Sequence, residues 1–165
     1  MTATSPCLFP TTAKAADVPY FDTSYLVRLY LRDRGFEAVR ELAGSAASIA
    51  SAWHAQAEIT AALHRSFRDG RLQHRAYLHA LDQFMAESND GLFAWLPLTD
   101  PVQQRLAQFF KKAPATVFLR AADALHLACA AENGYAEVHS HDRHFLAAAP
   151  LFGLRGVNVI GPDAP

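Results

Sequence analysis

The sequence contains few cysteines, no long apolar run and no excess of charge of one sign. Its 165 residues include only Cys7 and Cys129, and two cysteines without a C-x-x-C pair give neither a disulfide framework nor a cysteine-based metal site. No apolar run approaches the roughly 18–20 residues of a membrane-spanning helix. The formal net charge is −1, and such a balance neither requires nor excludes a nucleic-acid partner.

The opening residues 1–17, MTATSPCLFPTTAKAAD, lack the apolar segment of a signal peptide. We therefore expect a cytoplasmic protein whose cysteines stay reduced. The proline, threonine and alanine content of this segment predicts a flexible N-terminal extension. Residues 18–165 are predicted to form a single domain, because 51% hydrophobic and 19% charged residues are typical of a globular protein with a sizeable core.

Short apolar runs alternate with amphipathic stretches along the rest of the chain. Strands are predicted at residues 18–21, 46–51, 92–98, 136–140 and 156–160. Helices are predicted after residue 22, over residues 35–43, 53–68 and 71–87, from residue 99, over residues 119–133 and after residue 142. This alternation predicts an α/β protein with a mostly parallel central sheet. Such sheets place ligand sites at the carboxyl ends of their strands.

Four acidic residues are predicted to overlook that edge of the sheet. Asp22 and Asp142 directly follow two strands, Glu58 lies one to two turns into the helix after the second strand, and Asp123 comes from a helix beside the edge. Converging carboxylates repel one another unless a cation is present. Hard oxygen ligands suit Mg²⁺ or Mn²⁺. The set therefore indicates a metal site of the kind that cleaves phosphodiesters.

Three of these acids also have structural explanations when taken singly. Asp22 and Asp142 precede helices, where aspartate is a common N-cap. Thr23 and Ser24 are further candidates to cap the first of those helices. Glu58 alone is compatible with a solvated helix position. The metal hypothesis rests on the four acids as a set.

Asp123 is harder to explain as a structural residue. It lies within the stretch LRAADALHLACA, four residues from both Leu119 and Leu127, so the helical spacing places it on their apolar face. An unpaired carboxylate there must be neutralised or matched. Arg120 and His126, each three residues away, are the local candidates for that match.

Four segments resemble the PIN-domain ribonucleases, particularly the VapC toxins of bacterial toxin–antitoxin pairs. They are FDTSYLV at Asp22, AQAEITAAL at Glu58, LRAADALHLACA at Asp123 and VHSHDRHF at Asp142. Their order and approximate spacing match the family, and the resemblance extends over residues 18–160. It implies a Rossmann-like α/β/α sandwich with a mostly parallel sheet, and a single PIN-like nuclease domain over residues 18–165.

The resemblance also implies a metal-dependent endoribonuclease. By the family pattern Asp22, Glu58, Asp123 and Asp142 are the catalytic residues and hold Mg²⁺ or Mn²⁺. Ser24 and Ser140 would support the pocket by hydrogen bonding. The expected reaction is in-line attack of metal-activated water on phosphorus, with release of a 3′-hydroxyl and a 5′-phosphate. A homodimer and a small antitoxin partner are implied as well. The N-terminal extension departs from the family pattern.

Several arginines are candidates for contact with RNA phosphate. Arg120 and Arg143 lie close in sequence to two of the acids, and structural ion pairs are an equally good explanation for both. A richer basic run crosses a helix junction, and a solvated face explains it as well as RNA binding does. Its members are Arg65, Arg68, Arg71 and Arg75.

Three alternatives remain open from the sequence. His139, His141 and His144 together with Asp142 are candidates for a transition-metal site. A PIN module that binds RNA or protein without cutting is a second alternative, although all four acids are present. The third alternative is a housekeeping RNA-processing PIN nuclease, which would catalyse the same reaction as the toxin but serve a different biological role.

Overall fold

The computed structural model describes residues 18–161. The predicted extension over residues 1–17, which includes Cys7, lies outside the described residues, as do residues 162–165. The helices are α1 (Thr23–Tyr30), α2 (Phe36–Gly44), α3 (Ala55–Arg68), α4 (His74–Asn89), α5 (Asp100–Lys112), α6 (Ala121–Glu132) and α7 (Arg143–Ala148), which continues into a 3₁₀ turn at Ala149–Phe152. The strands are β1 (Ile49–Ala52), β2 (Phe93–Leu96), β3 (Glu137–His139) and β4 (Arg155–Val157). Within the described part of the chain, no helix is long and apolar enough to cross a membrane.

Two parallel strand pairs are joined by the segment predicted as the first strand. β1 pairs with β2, and β3 pairs with β4. Between them, Tyr20 forms a parallel bridge to Ala50 and Phe21 forms one to His139. The resulting order is β2, β1, the bridging residues 20–21, β3 and β4, all parallel. The predicted α/β fold with a parallel central sheet is confirmed.

The bridging residues divide the core into two apolar layers. Successive side chains of extended backbone point to opposite faces, so Tyr20 packs with the buried residues of α5, α6 and α7 while Phe21 packs with those of α1 to α4. Both rings are fully buried. The helices therefore cover both faces of the sheet, as in an α/β/α sandwich.

The last strand is shorter than predicted, because the chain turns away from the sheet after Val157. The Tyr25 hydroxyl donates to Asn158 Oδ1 at 2.9 Å and accepts from the Val159 backbone N–H at 2.7 Å. These contacts direct the segment toward α1 rather than along β3. Ile160 is buried there, among the residues of the α1–α4 layer.

Ile160 approaches Gly35, which precedes α2 with φ of 77°. A Cβ atom at this glycine would lie 2.5 Å from Ile160 Cγ2, whereas one at Gly70, with φ of 73°, would meet nothing within 4 Å. Alanine at either position carries the cost of a left-handed backbone, roughly 1–2 kcal/mol. Gly35→Ala should therefore lower the free energy of unfolding in a denaturant titration by more than Gly70→Ala does. Equal losses would mean that the Ile160 contact contributes nothing.

Candidate active site

All four predicted acids line one cavity of about 450 Å³, here called the acidic cavity. Asp22 follows the central bridging residues and Asp142 lies in the loop after β3. Glu58 and Asp123 lie in the first turns of α3 and α6. The four acids predicted from the sequence therefore lie around one cavity.

Asp22 is the most buried acid, with 4% of its surface exposed. Its Oδ1 accepts hydrogen bonds from Ser24 Oγ at 2.8 Å and the Tyr25 backbone N–H at 3.1 Å, and its Oδ2 accepts from Ser140 Oγ at 2.5 Å. Burial raises the pKa of Asp22, while the bond from Ser140 opposes that shift. The carboxyl group is thus held in a fixed orientation at the base of the cavity.

The same two serines tie the loops around the cavity together. Ser140 Oγ accepts from the Asp142 backbone N–H at 2.9 Å, and Ser24 Oγ accepts from the His141 backbone N–H at 3.0 Å. Each hydroxyl therefore links Asp22 to the loop that follows β3. Ser24 and Ser140 lie where a supporting role requires them.

Of the three capping candidates named from the sequence, Asp22 caps the first helix and Thr23 and Ser24 do not. Asp22 has extended backbone, with φ of −77° and ψ of 175°, and its carboxylate reaches the Tyr25 N–H. Thr23 and Ser24 already have helical backbone, so their hydroxyls are free to serve the site. This one carboxylate therefore caps α1 and also lines the acidic cavity.

Asp142 also combines two roles. Its Oδ1 caps α7 by accepting from the backbone N–H groups of His144 and Phe145 at 2.7 and 3.1 Å. Its Oδ2 accepts from Arg120 Nη2 at 2.7 Å, and the Nε of the same arginine donates to Asp123 Oδ2 at 2.9 Å. One guanidinium group therefore lies against two of the four acids.

The structure corrects the predicted position of Asp123 within its helix. α6 begins at Ala121, because Arg120 has extended backbone with ψ of 155° and acts as the N-cap. Leu119 therefore lies before the helix, and the expected alignment with Asp123 holds for Leu127 alone. Asp123 stands in the first turn, where a carboxylate is favoured by the helix dipole. Of the two partners that the sequence offered for the Asp123 carboxylate, Arg120 is the one that forms an ion pair with it.

His126, the other partner considered for Asp123, instead contacts Glu58. Glu58 Oε2 accepts from Thr23 Oγ1 at 2.5 Å and lies 3.3 Å from His126 Nε2 and 3.6 Å from His54 Nε2. Burial alone would raise the pKa of Glu58, but hydrogen bonding to His126 and Thr23 outweighs it and lowers the pKa to about 2. Burial lowers the pKa of His54 to about 4.

Sequence reasoning missed His54 and Thr23, which both lie beside Glu58. The signal for His54 was its spacing, since residues four apart on a helix face the same side and His54 lies four residues before Glu58. Among the described residues, one group brings three ligand atoms of histidine, cysteine or carboxylate side chains within 4.8 Å of one another. It consists of His54, Glu58 and His126. The four acids surround the cavity more loosely.

The acidic residues nevertheless fit a hard divalent cation. Their donors are carboxylate oxygens, which are the ligands that Mg²⁺ and Mn²⁺ prefer. The guanidinium group shared by Asp123 and Asp142 shows that these two carboxylates face one common cationic position.

The alternative histidine site is not assembled. His139 packs against Phe21 with ring centroids 5.5 Å apart, and its Nδ1 lies 3.2 Å from the Tyr20 carbonyl oxygen. His144 lies against Phe118 instead, at 4.9 Å between ring centroids. Within residues 18–161, the histidines of this segment do not join Asp142 in a cluster of three ligand atoms.

Basic side chains surround the acids in the same cavity. Arg28, Arg65, Arg71 and Arg120 all contribute to its lining. Of the basic run noted in the sequence, Arg65 and Arg71 thus reach the cavity, although Arg71 also pairs with Asp33 at 3.3 Å, while Arg68 pairs with Asp69. Arg143 lines an adjoining depression that shares Asp142 with the acidic cavity. Acids ringed by arginines suit a substrate that carries phosphate.

Two solved structures share this fold at low sequence identity. Mycobacterium tuberculosis VapC20, described as a sarcin–ricin loop cleaving toxin, is 19% identical with a TM-score of 0.58, and the match covers 78% of this chain and 93% of that one. VapBC2 from Rickettsia felis, bound to a DNA fragment from its promoter, is 12% identical with a TM-score of 0.61, covering 86% and 98%.

Comparison with curated protein sequences gives no match. The family model for the PIN domain, in contrast, matches residues 20–150, which include all four acids and most of the described chain. This match confirms the resemblance noted in the sequence. The chain belongs to the PIN domain family.

Proposed function

We propose that this protein is a metal-dependent endoribonuclease of the VapC type, the toxin of a toxin–antitoxin pair, acting in the cytoplasm. The observation that carries the proposal is the acidic cavity, in which four carboxylates from separate elements are ringed by arginines. The solved neighbours add support, since one is described as a sarcin–ricin loop cleaving toxin and the other as VapBC2 bound to a promoter DNA fragment.

In this proposal Asp22, Glu58, Asp123 and Asp142 hold Mg²⁺ or Mn²⁺. Such an ion supplies a lowered pKa for a water ligand and neutralises charge on the phosphate. The protein's own contribution is orientation. Asp22 cannot rotate, because hydrogen bonds occupy both of its oxygens, and the cap contacts of Asp142 leave its second oxygen directed into the cavity.

Arg120 and Arg143 are proposed to bind the RNA backbone. The Arg120 side chain is 62% exposed at the mouth of the cavity, and its guanidinium lies within hydrogen-bond distance of Asp123 and Asp142. A guanidinium forms strong paired hydrogen bonds with phosphate oxygens. Arg120 would therefore exchange carboxylate partners for phosphate when RNA and a cation enter together.

The cleavage test compares Asp123→Asn with the matched surface variant Asp82→Asn. Asp82 is exposed on α4, away from the cavity lining. On structured RNA that includes a sarcin–ricin loop oligonucleotide, with Mg²⁺ or Mn²⁺, Asp123→Asn should lower the cleavage rate about 100-fold or more, because it removes charge at the reacting centre. Asp82→Asn should cleave like the wild type.

Melting temperatures separate loss of chemistry from loss of fold in this experiment. Asp123 contacts Arg120 and caps no helix, so Asp123→Asn should melt close to the wild type. Asp22→Asn serves as a second inactive variant. A pure wild-type protein that binds RNA but leaves the whole panel intact would contradict the nuclease and favour a non-catalytic module.

The proposed partners are an antitoxin and a second copy of the chain. Expression of the wild-type protein in bacteria should arrest growth, and co-expression of a short reading frame directly upstream should relieve the arrest by supplying the antitoxin. Asp123→Asn should not arrest growth, because it lacks cleavage. Normal growth with an active, well-expressed enzyme would instead favour a housekeeping nuclease. Light scattering of the purified protein would report the homodimer.

A further inference from the structure

We propose that His54, Glu58 and His126 form a site for a zinc-class divalent cation, which shares only Glu58 with the set of four acids. The group joins the N-terminal end of α3 to the middle of α6. It consists of two imidazole nitrogens and one carboxylate oxygen, all within 4.8 Å of one another. Mixed nitrogen and oxygen ligands are typical of zinc, whereas Mg²⁺ prefers oxygen alone.

The distances within the group fit a tetrahedral ion. His126 Nε2 lies 3.3 Å from Glu58 Oε2, and His54 Nε2 lies 3.6 Å from the same oxygen. Ligand atoms around a tetrahedral zinc ion with bonds of about 2.1 Å are about 3.4 Å apart. The two imidazole rings are in contact, with centroids 4.3 Å apart and planes tilted by 54°. Small side-chain movements would therefore complete the coordination.

Tyr20 holds His126 in a suitable orientation. Its buried hydroxyl donates to the His126 carbonyl oxygen at 3.0 Å and lies 3.0 Å from His126 Nδ1. Since this hydroxyl has one proton, donation to the carbonyl leaves Nδ1 as the donor to the tyrosine oxygen. Nε2 then faces Glu58 Oε2 at 3.3 Å, where it holds a proton toward that oxygen in the metal-free protein or, once the proton is released, offers its lone pair to a cation. Metal-binding histidines commonly have their second nitrogen fixed in this way.

The hydrogen bonds around Glu58 leave a place for a cation. The single hydroxyl proton of Thr23 is directed to Glu58 Oε2 at 2.5 Å, although His126 Nε2 lies 3.1 Å from the same hydroxyl. His126 Nε2 and Glu58 Oε2 are 3.3 Å apart, so either a proton on the nitrogen or a metal ion between the two atoms can join them. A metal ion in place of that proton would contact His54 as well, because the three ligand atoms lie within 4.8 Å of one another.

His54 Nε2 is the nitrogen that faces Glu58, and it contacts the Ala122 carbonyl oxygen at 3.2 Å. Metal binding would replace this contact with Ala122. The second ring nitrogen, Nδ1, is buried without a hydrogen-bond partner and points away from the proposed ion.

Glu58 belongs to both proposed sites, and this has a functional consequence that rests on the proposed nuclease activity. Glu58, His126 and Thr23 line the acidic cavity, so the fourth position of the ion would open toward the other acids. A zinc-class ion here would withdraw Glu58 from the set of four acids. Zn²⁺ should therefore inhibit cleavage that is supported by Mg²⁺.

The binding test is calorimetric titration of the metal-free full-length chain with Zn²⁺. His54→Ala and Glu58→Gln should each weaken binding about tenfold or more, since each removes a ligand, and Tyr20→Phe should weaken it about 10–100-fold by freeing the His126 ring. Asp142→Asn should bind like the wild type, because it belongs to the acids alone. His79→Ala, at an exposed position on α4, controls for adventitious binding to surface histidines.

Two results would overturn the proposed zinc site. One is wild-type protein that binds no Zn²⁺. The other is binding that survives His54→Ala but is lost in Asp142→Asn, because the ion would then occupy the acids or the nearby histidine segment. Failure of the nuclease proposal is recognised separately, since it is judged by cleavage with Mg²⁺ and leaves the calorimetric result unchanged.

Discussion

The buried carboxylate of Asp22 and the two serine hydroxyls that bind it organise the site. Ser24 comes from α1 and Ser140 from the end of β3, and each donates to one oxygen of Asp22 while accepting a backbone N–H from the loop after β3. A buried carboxylate without such donors would be costly. Two of these four hydrogen bonds stabilise the buried carboxylate of Asp22, and the other two fix the loop that carries Asp142.

The bridging residues Tyr20 and Phe21 help to position other side chains of the cavity. Tyr20 and Phe21 occupy consecutive positions and bury their rings in opposite layers, so the backbone leading into Asp22 is held from both sides. On one side, Tyr20 also fixes His126, which in turn contacts Glu58. Residues Tyr20 and Phe21 thus help to position both Asp22, which follows them, and Glu58 on α3.

Much of this arrangement was predictable because it depends on local order along the chain. Asp22 and Asp142 directly follow strands, and parallel strands bring such residues to one edge. The start of α6 was harder to predict from the sequence. The helical pattern of the sequence begins at Leu119, whereas the backbone at Arg120 is extended and the helix begins at Ala121. The His54–His126 contact was not predictable, because it depends on how α3 and α6 approach each other across the sheet. His54 lies four residues before Glu58, but nothing in the sequence indicates that His126 completes the group.

Anomalous diffraction from crystals grown with Mn²⁺ would show whether the acids around Asp22 form a site for a hard divalent cation. We expect a manganese peak in contact with oxygens of Asp22, Asp123 and Asp142, with Arg120 displaced from at least one of its two carboxylates. A peak confined to His54, Glu58 and His126, or no peak while Arg120 still bridges Asp123 and Asp142, would contradict it.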